Sequence, residues 1–341
     1  MHHSAFTLAL LLSLSSALAG NGILELDSKP GGAEVFVDGK KKGTTPETEG
    51  QKLTMDLTEG DHEVEIKKEG VGSVKKKVFV GEGVIQPLTL TILPEAFTNP
   101  LGMKFVPVPG TQILMCIHET RNKDYAAYAA ANKGADMKWK SPTFELDKAK
   151  YTIKEDENHP VIYVSWEDAT AFCAWLGGKD GRTYRLPTDH EWSCAVGIGE
   201  QENAKETPEA KDGKVPGFPW GAGYPPPKNK LGNYWDSTVV RQGETEKTDL
   251  GSYDDGYLLT APVMSFPANK LGIYDLGGNV WEWCQDAYSP TNSSRVLRGG
   301  AWYNDDRDSL ASSNRSRSAP ADRNDPDGFR CVVVVGGSSS P

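Results

Sequence analysis

Asp275-Leu276-Gly277-Gly278-Asn279-Val280-Trp281-Glu282 sets two carboxylates seven positions apart around a Gly-Gly turn. The surrounding stretch, from about Gly197 to the C-terminus, holds no sustained apolar period and reads as loops and short strands. So long a stretch needs something other than secondary structure to hold it, and bound metal and a disulfide are the usual answers. Calcium takes six to eight oxygens from carboxylates, side-chain amides and backbone carbonyls, so Asp, Asn and Glu set among glycines suit it.

Upstream of that loop two helices are expected. Asn122-Lys123-Asp124-Tyr125-Ala126-Ala127-Tyr128-Ala129-Ala130 follows a capping Asn with Ala-rich spacing. Ser165 caps a second helix, Asp168 sits three residues on, and Gly177-Gly178 is expected to stop it. A shorter third helix opens at Thr188 and carries Glu191 and Trp192. Further back, between Ile23 and Leu93, apolar residues alternate in short runs such as Val35, Val37 and Leu88, Leu90, Ile92. Turn dipeptides at Pro30-Gly31-Gly32, Asp38-Gly39 and Glu82-Gly83 separate them, which describes a small antiparallel β-sandwich with one wet face. The mature chain divides near Pro94, and 341 residues suffice for two domains with their own cores.

Thirty-six Gly, 22 Pro and nine Trp point to a turn-rich α+β fold rather than a helical bundle. A net charge of −10 offers no basic footprint for nucleic acid or anionic lipid. No apolar run past the N-terminus is long enough for a membrane span. Residues 1–19 read as a cleaved secretory signal, with an apolar stretch from Ala5 to Leu14 and Ala17-Leu18-Ala19 before the cut. Export to the periplasm, cell surface or medium implies an oxidising compartment, and five cysteines leave at least one outside any intramolecular pairing.

Two resemblances add to this reading. Ser28-Lys29-Pro30-Gly31-Gly32-Ala33-Glu34-Val35-Phe36-Val37-Asp38-Gly39 with Gly43-Thr44-Thr45-Pro46 resembles the PEGA domain over residues 22–94, which implies a surface-associated β module without chemistry. Gly102-Met103-Lys104-Phe105-Val106, His118-Glu119-Thr120-Arg121-Asn122, Arg185-Leu186-Pro187-Thr188-Asp189-His190-Glu191-Trp192, Gly277-Gly278-Asn279-Val280-Trp281-Glu282-Trp283, Arg298-Gly299-Gly300-Ala301-Trp302 and Gly328-Phe329-Arg330 follow in order. Together they resemble the formylglycine-generating enzyme (sulfatase-modifying factor) family over residues 97–335, with 336–341 left as a flexible tail. The resemblance implies a variant C-type lectin fold with little regular secondary structure and structural calcium. It places one ion on Asp275 and Glu282 with backbone oxygens of Gly278 and Val280, and a second on Asn233 and Asp255 with backbone oxygens of Tyr234 and Tyr257. Asp254-Asp255-Gly256 also reads as an ordinary acidic turn. The resemblance further implies a disulfide between Cys173 and Cys331, leaving Cys116, Cys194 and Cys284, each of which also reads as a small core hydrophobe.

Active members of that family oxidise a substrate cysteine with a copper-dependent thiol pair just after the Gly-Gly element. Those positions fall here on Asn304 and Ser309, and no cysteine occurs between Cys284 and Cys331. Amide and hydroxyl oxygen do not replace thiolates on a soft Cu(I) ion, so copper is not expected. The 301–327 tract is instead rich in Asn, Asp, Arg and Ser, which suits recognition of a protein, peptide or glycan through Trp302, Tyr303, Asn304, Asp306, Arg307, Asn314, Arg315 and Arg317. It also reads as a solvated loop held by Arg–Asp pairs. A working formylglycine-generating oxidase, with residual redox chemistry on Cys116, Cys194 or Cys284, is the alternative. His118-Glu119 lacks the second His of a zinc protease, and no phosphate loop or nucleophile elbow occurs.

Overall fold

The computed structural model describes residues 20–48, 50–140, 142–146, 149–152, 156–241 and 248–335. The expected signal over residues 1–19 and the expected tail over 336–341 lie outside the described residues. The chain divides into two compact units, Met1–Ile92 and Leu93–Pro341.

The first unit contains β1 (Asn21–Lys29), β2 (Glu34–Val37), β3 (Lys40–Thr44), β4 (Leu53–Thr58), β5 (Gly60–Lys68), β6 (Gly72–Val80) and β7 (Ile85–Thr91). They form sheets of order β4-β1-β7 and β3-β2-β5-β6. The alternating residues point inward: Leu24, Leu26, Val35, Val37, Val64, Ile66, Leu88 and Leu90 share one buried core. Asp38 and Gly39 both adopt positive φ, 50° and 76°, which turns β2 tightly into β3. One pairing departs from the antiparallel expectation, because β1 runs parallel to β7 from Ile23↔Ile85 to Lys29↔Thr91. First and last strands of a unit can pair this way since everything between them serves as the crossover.

The second unit runs through β8 (Phe97–Thr98), β9 (Lys104–Pro107), β10 (Ile113–Cys116), α1 (Asn122–Ala131), β11 (Thr143–Leu146), β12 (Ala149–Thr152), α2 (Trp166–Asp180), β13 (Tyr184–Arg185), α3 (Asp189–Val196), α4 (Pro208–Lys211), α5 (Ser237–Arg241), β14 (Trp281–Ser289), β15 (Asn292–Arg298), β16 (Ser316–Ser318), β17 (Asp327–Gly328) and β18 (Val332–Val334). Strand β18 enters between β13 and β10 in a sheet of order β13-β18-β10-β9-β8, so the end of the unit closes onto its beginning. A second sheet has the order β16-β15-β14-β17. Its β14–β15 hairpin is more regular than the loop reading of this region expects. Trp281 to Cys284 are buried on both faces, which removes the alternation that would mark a strand.

Ser165 and Asp168 cap α2 reciprocally, Asp168 N donating to Ser165 Oγ at 3.1 Å and Ser165 N to Asp168 Oδ2 at 2.9 Å. Thr188 and Glu191 do the same for α3. Two details differ from expectation. Arg121, not Asn122, caps α1, held by its own fork on Asp124, while Asn122 Nδ2 donates to Asp156 O at 3.0 Å. Helix α2 passes through Gly177-Gly178 and ends at Gly181, whose φ is 75°. Gly177 serves close packing there, since a Cβ would meet Arg182 O at 2.7 Å. Tyr125 from α1, Phe172 from α2 and Phe329 then join in the main core, with Phe172 and Phe329 ring centroids 5.4 Å apart.

Candidate functional site

The start of β14 carries Glu282 into the interior, fully buried. Arg330 Nε donates to its Oε2 at 2.6 Å and Arg330 Nη2 to its Oε1 at 2.5 Å, while Trp192 Nε1 from α3 donates to Oε2 at 3.0 Å. Both oxygens accept from an arginine fork, so Glu282 serves here as the counter-ion of Arg330. Asp275 accepts Met264 N at 2.7 Å through Oδ2, whereas its Oδ1 is buried without a hydrogen bond, and burial pushes its carboxyl up to about 6. The Gly278 backbone presses against the Asn233 loop, where a Cβ would come within 2.2 Å of Asn233 O. Val280 donates its N–H to Glu119 Oε1 at 3.3 Å, and Asn279 Nδ2 donates to Glu119 Oε2 at 2.6 Å. Glu119 is fully buried, and burial, then Asp275 and Glu282, push its carboxyl well above the usual range. Sequence reading missed Glu119 as a member of this cluster, because its amide partner lies 160 residues away and nothing local marks the pairing.

The second expected set does come together. Asp255 accepts Tyr234 N at 2.8 Å through Oδ2 and Tyr257 N at 2.7 Å through Oδ1. Asn233 donates Nδ2 to Leu259 O at 2.8 Å and to Asn279 Oδ1 at 3.1 Å, yet its own Oδ1 is buried with no hydrogen bond. Asp254 points outward to Arg241 at 2.9 Å, but Asp255 turns in, beside the buried Asp236, which accepts Asp255 N. Burial and the Asp236 charge push the Asp255 carboxyl up to about 8. Among the described residues no three His, Cys, Asp or Glu side chains converge to hold a metal ion. A cation here would draw on one carboxylate, one amide oxygen and backbone carbonyls, an all-oxygen set that suits calcium.

Cys173 and Cys331 are buried free thiols whose sulfurs lie 3.4 Å apart. The other three sit in different surroundings: Cys116 Sγ lies 3.9 Å from His118 Nδ1, Cys194 Sγ 3.6 Å from His190 Nε2, and Cys284 Sγ 3.9 Å from Glu282 O. Asn304 reaches the Gly300 corner through its side chain and Ser309 through its backbone carbonyl. A Cβ on Gly300 would meet Ser309 O at 3.2 Å and Asn304 Oδ1 at 3.8 Å, and Asn304 Oδ1 accepts Ala301 N at 2.9 Å.

The polar tract splits by burial. Tyr303, Asp306, Arg307 and Arg317 are exposed, with Asn304 and Asn314 half-buried. Trp302 and Arg315 are buried, which corrects their expected place on a recognition surface. Arg315 instead holds the scaffold: its Nε reaches Asp189 Oδ1 at 2.8 Å and its Nη2 reaches Glu202 Oε1 at 2.7 Å. Arg298 and Lys211 join the same buried cluster on Asp189. Burial raises the Asp189 carboxyl, but Arg298, Arg315 and Lys211 outweigh it and hold the group below the usual carboxylate range. Arg317 lies over the Tyr288 ring, 4.3 Å from its centroid. Between the 212–218 and 307–314 segments opens a groove of about 450 Å³. Among the described residues no helix is long and apolar enough to cross a membrane.

Residues 92–335 match the family described as sulfatase-modifying factor enzyme 1-like domain, and residues 21–95 match the PEGA domain. Inactive C-alpha-formylglycine-generating enzyme 2 of Mus musculus is 38% identical over 192 residues, covering 54% of this chain and 52% of that protein. Formylglycine-generating enzyme of Streptomyces coelicolor is 33% identical over 215 residues, 57% of each chain. The chain thus spans a little over half the length of these curated relatives. PvdO from Pseudomonas aeruginosa shares the fold, with a TM-score of 0.50 at 20% identity over 71% of this chain and 98% of that one. The ordered motifs, the loop-rich second unit and these matches agree: the chain belongs to the sulfatase-modifying factor enzyme 1-like family and carries a PEGA domain at its N-terminal side.

Proposed function

We propose that this chain is an exported, calcium-stabilised member of its family that binds a ligand through the exposed part of the 301–327 tract and does not generate formylglycine. The observation that carries this reading is the pair of residue types at the family's thiol positions, Asn304 and Ser309, which supply amide and hydroxyl oxygen in place of sulfur. A copper-dependent thiol oxidation needs two sulfurs there, and Asn304 is already used to cap the Ala301 N–H. The mouse relative called inactive supports the same direction. Tyr303, Asp306, Arg307 and Arg317, exposed on a scaffold pinned by Arg315, supply adaptable hydrogen bonding for a protein, peptide or glycan.

A working oxidase is the competing reading, favoured by the similarity to the Streptomyces coelicolor enzyme. Incubation of the protein with copper, oxygen and a Cys-x-Pro-x-Arg peptide separates the two by mass spectrometry. The peptide thiol is expected to persist, and enzyme-dependent loss of it overturns the binding reading. Fractionation of expressing cells tests export, with the chain expected outside the cytoplasm and shortened near Ala19.

A further inference from the structure

We propose that the groove between the 212–218 and 307–314 segments is a carbohydrate subsite that takes a neutral hexose ring of a glycan. This rests on the binding reading above and narrows its ligand. The groove measures about 450 Å³ and includes Gly213, Phe218, Arg307, Asp308 and Asn314 in its lining. That volume lies in the range of small-ligand sites, roughly 300–1,000 Å³.

Its back wall is fixed before any ligand arrives. Gly213 N donates to Ser313 O at 3.0 Å, Ser312 N to Gly217 O at 3.0 Å, Ser313 Oγ to Val215 O at 2.6 Å, and Arg315 N to Asp212 Oδ1 at 2.8 Å. Behind those bonds the buried Arg315 fork on Asp189 and Glu202 ties the tract to α3 and its following turn. Phe218 is stacked on Trp220 with centroids 4.8 Å apart and planes 4° from parallel, so it forms a rigid apolar wall. A preformed wall of this kind spares a weak ligand the cost of ordering its site.

The groove's polar groups are unspent. Among the described residues, Arg307 and Asp308 make no ion pair and no side-chain hydrogen bond, and the Asn314 amide makes none either; the Arg307 guanidinium lies 5.8 Å over the Phe218 ring. Asp212, by contrast, is consumed by Arg315 N and by the Tyr288 hydroxyl at 3.0 Å. One free guanidinium and one free carboxylate therefore face the space. An anionic ligand would meet Asp308 and a cationic one Arg307, so either is penalised. A ring of vicinal hydroxyls uses all three groups at once, because Arg307 only donates, Asp308 only accepts and Asn314 does both.

Titration of the full chain with methyl hexosides, followed by intrinsic tryptophan fluorescence and by calorimetry, tests the assignment. At least one neutral hexoside is expected to bind, and R307A and N314A to weaken it about tenfold each, as for loss of one hydrogen bond to a charged or buried group. Arg307 is exposed and Asn314 half-buried, and unchanged thermal melts confirm that the variants fold. Preference for glucuronate or glucosamine, hexoside binding that survives both substitutions, or no hexoside binding overturns the subsite. Capture of a peptide or charged glycan that is lost in Y303A but kept in R307A would leave the binding reading standing while this assignment fails. Conversion of the Cys-x-Pro-x-Arg peptide would remove the binding reading itself.

Discussion

Arg330 and Glu282, both inaccessible to solvent, meet through two parallel N–H to oxygen bonds of 2.6 and 2.5 Å. The same guanidinium also donates to Tyr274 O at 3.0 Å and Cys116 O at 3.3 Å, so one side chain ties β10, the Asp275 loop and β14 together. Removing one member of a buried pair leaves the other charge uncompensated. Arg330→Ala is expected to lower the stability of the second unit by roughly 3–5 kcal/mol in urea unfolding. Arg330→Lys keeps the charge but not the fork and should recover only part of that loss. A cost within error of zero for Arg330→Ala would show that Glu282 is compensated elsewhere.

His62 gives the first unit a pH dependence of definite sign. Its Nδ1 lies 2.7 Å from Asp38 Oδ2 and its Nε2 lies 2.8 Å from Thr58 O, so acceptors face both ring nitrogens and only the imidazolium satisfies both. The Thr58 carbonyl raises the His62 pKa above 6.5, burial opposes this, and Asp38 adds to it. The stabilisation is therefore complete below pH 6.5 and is lost as pH rises through the higher folded value. Asp38 behaves oppositely: His62 and the Glu63 N–H lower its pKa below 3.8, so its share is present above that value and lost in acid. Replacing His62 with Gln should cost about 1 kcal/mol at pH 5 and less at pH 9. The unit contains no tryptophan, so hydrogen exchange of the Thr58–His62 backbone is the suitable readout. A cost that grows with pH would refute the doubly bonded imidazolium.

The Cys173 and Cys331 sulfurs, 3.4 Å apart, stand about 1.4 Å beyond the usual bond length of a disulfide. Oxidation is expected to join them, and the closed loop of 158 positions would stabilise the chain by roughly 4–5 kcal/mol on the loop-entropy argument. Both sulfurs are buried, so neither should react with thiol reagents until the core opens, and burial also raises the Cys331 thiol well above its ordinary range. Urea midpoints measured with and without dithiothreitol should differ for the native chain and coincide for Cys173→Ala. Coincidence in the native chain as well would mean that the two stay reduced.

What could be read in the sequence was what is local. The Ser165–Asp168 and Thr188–Glu191 caps sit three residues apart, and the strand alternation of the first unit repeats every two. Side chains whose partners are remote carry no such local mark. Arg315 reads as a surface arginine among serines, but its partners Asp189 and Glu202 lie more than a hundred positions away. Glu282 reads as a ligand because Arg330, 48 positions on, carries no sign in its own neighbourhood of where its charge will go. Trp302 sits in a polar run, yet the fold turns it in beside Ile162 and Val280. Burial of an isolated side chain in a loop is decided by tertiary packing, to which no period points.

Within the proposed calcium binding, the Arg330 fork on Glu282 favours the Asn233–Asp255 set over the Asp275–Glu282 loop. Each set holds one buried oxygen without a hydrogen bond, Asp275 Oδ1 in the first and Asn233 Oδ1 in the second, but in the first Arg330 already neutralises Glu282, whereas the Asp255 carboxylate takes only backbone N–H groups. An ion that binds only the folded chain stabilises it by mass action, about 2.7 kcal/mol when calcium is a hundred times its dissociation constant. For a unit of this size that corresponds to a melting temperature higher by roughly 5–10 °C. Calcium titration of the melting temperature should therefore show a saturable rise, and EDTA should reverse it. Asp255→Asn should abolish the rise while Asp275→Asn retains it. The opposite pattern would return the ion to the first loop, and a flat titration for the native chain would remove calcium from this fold altogether.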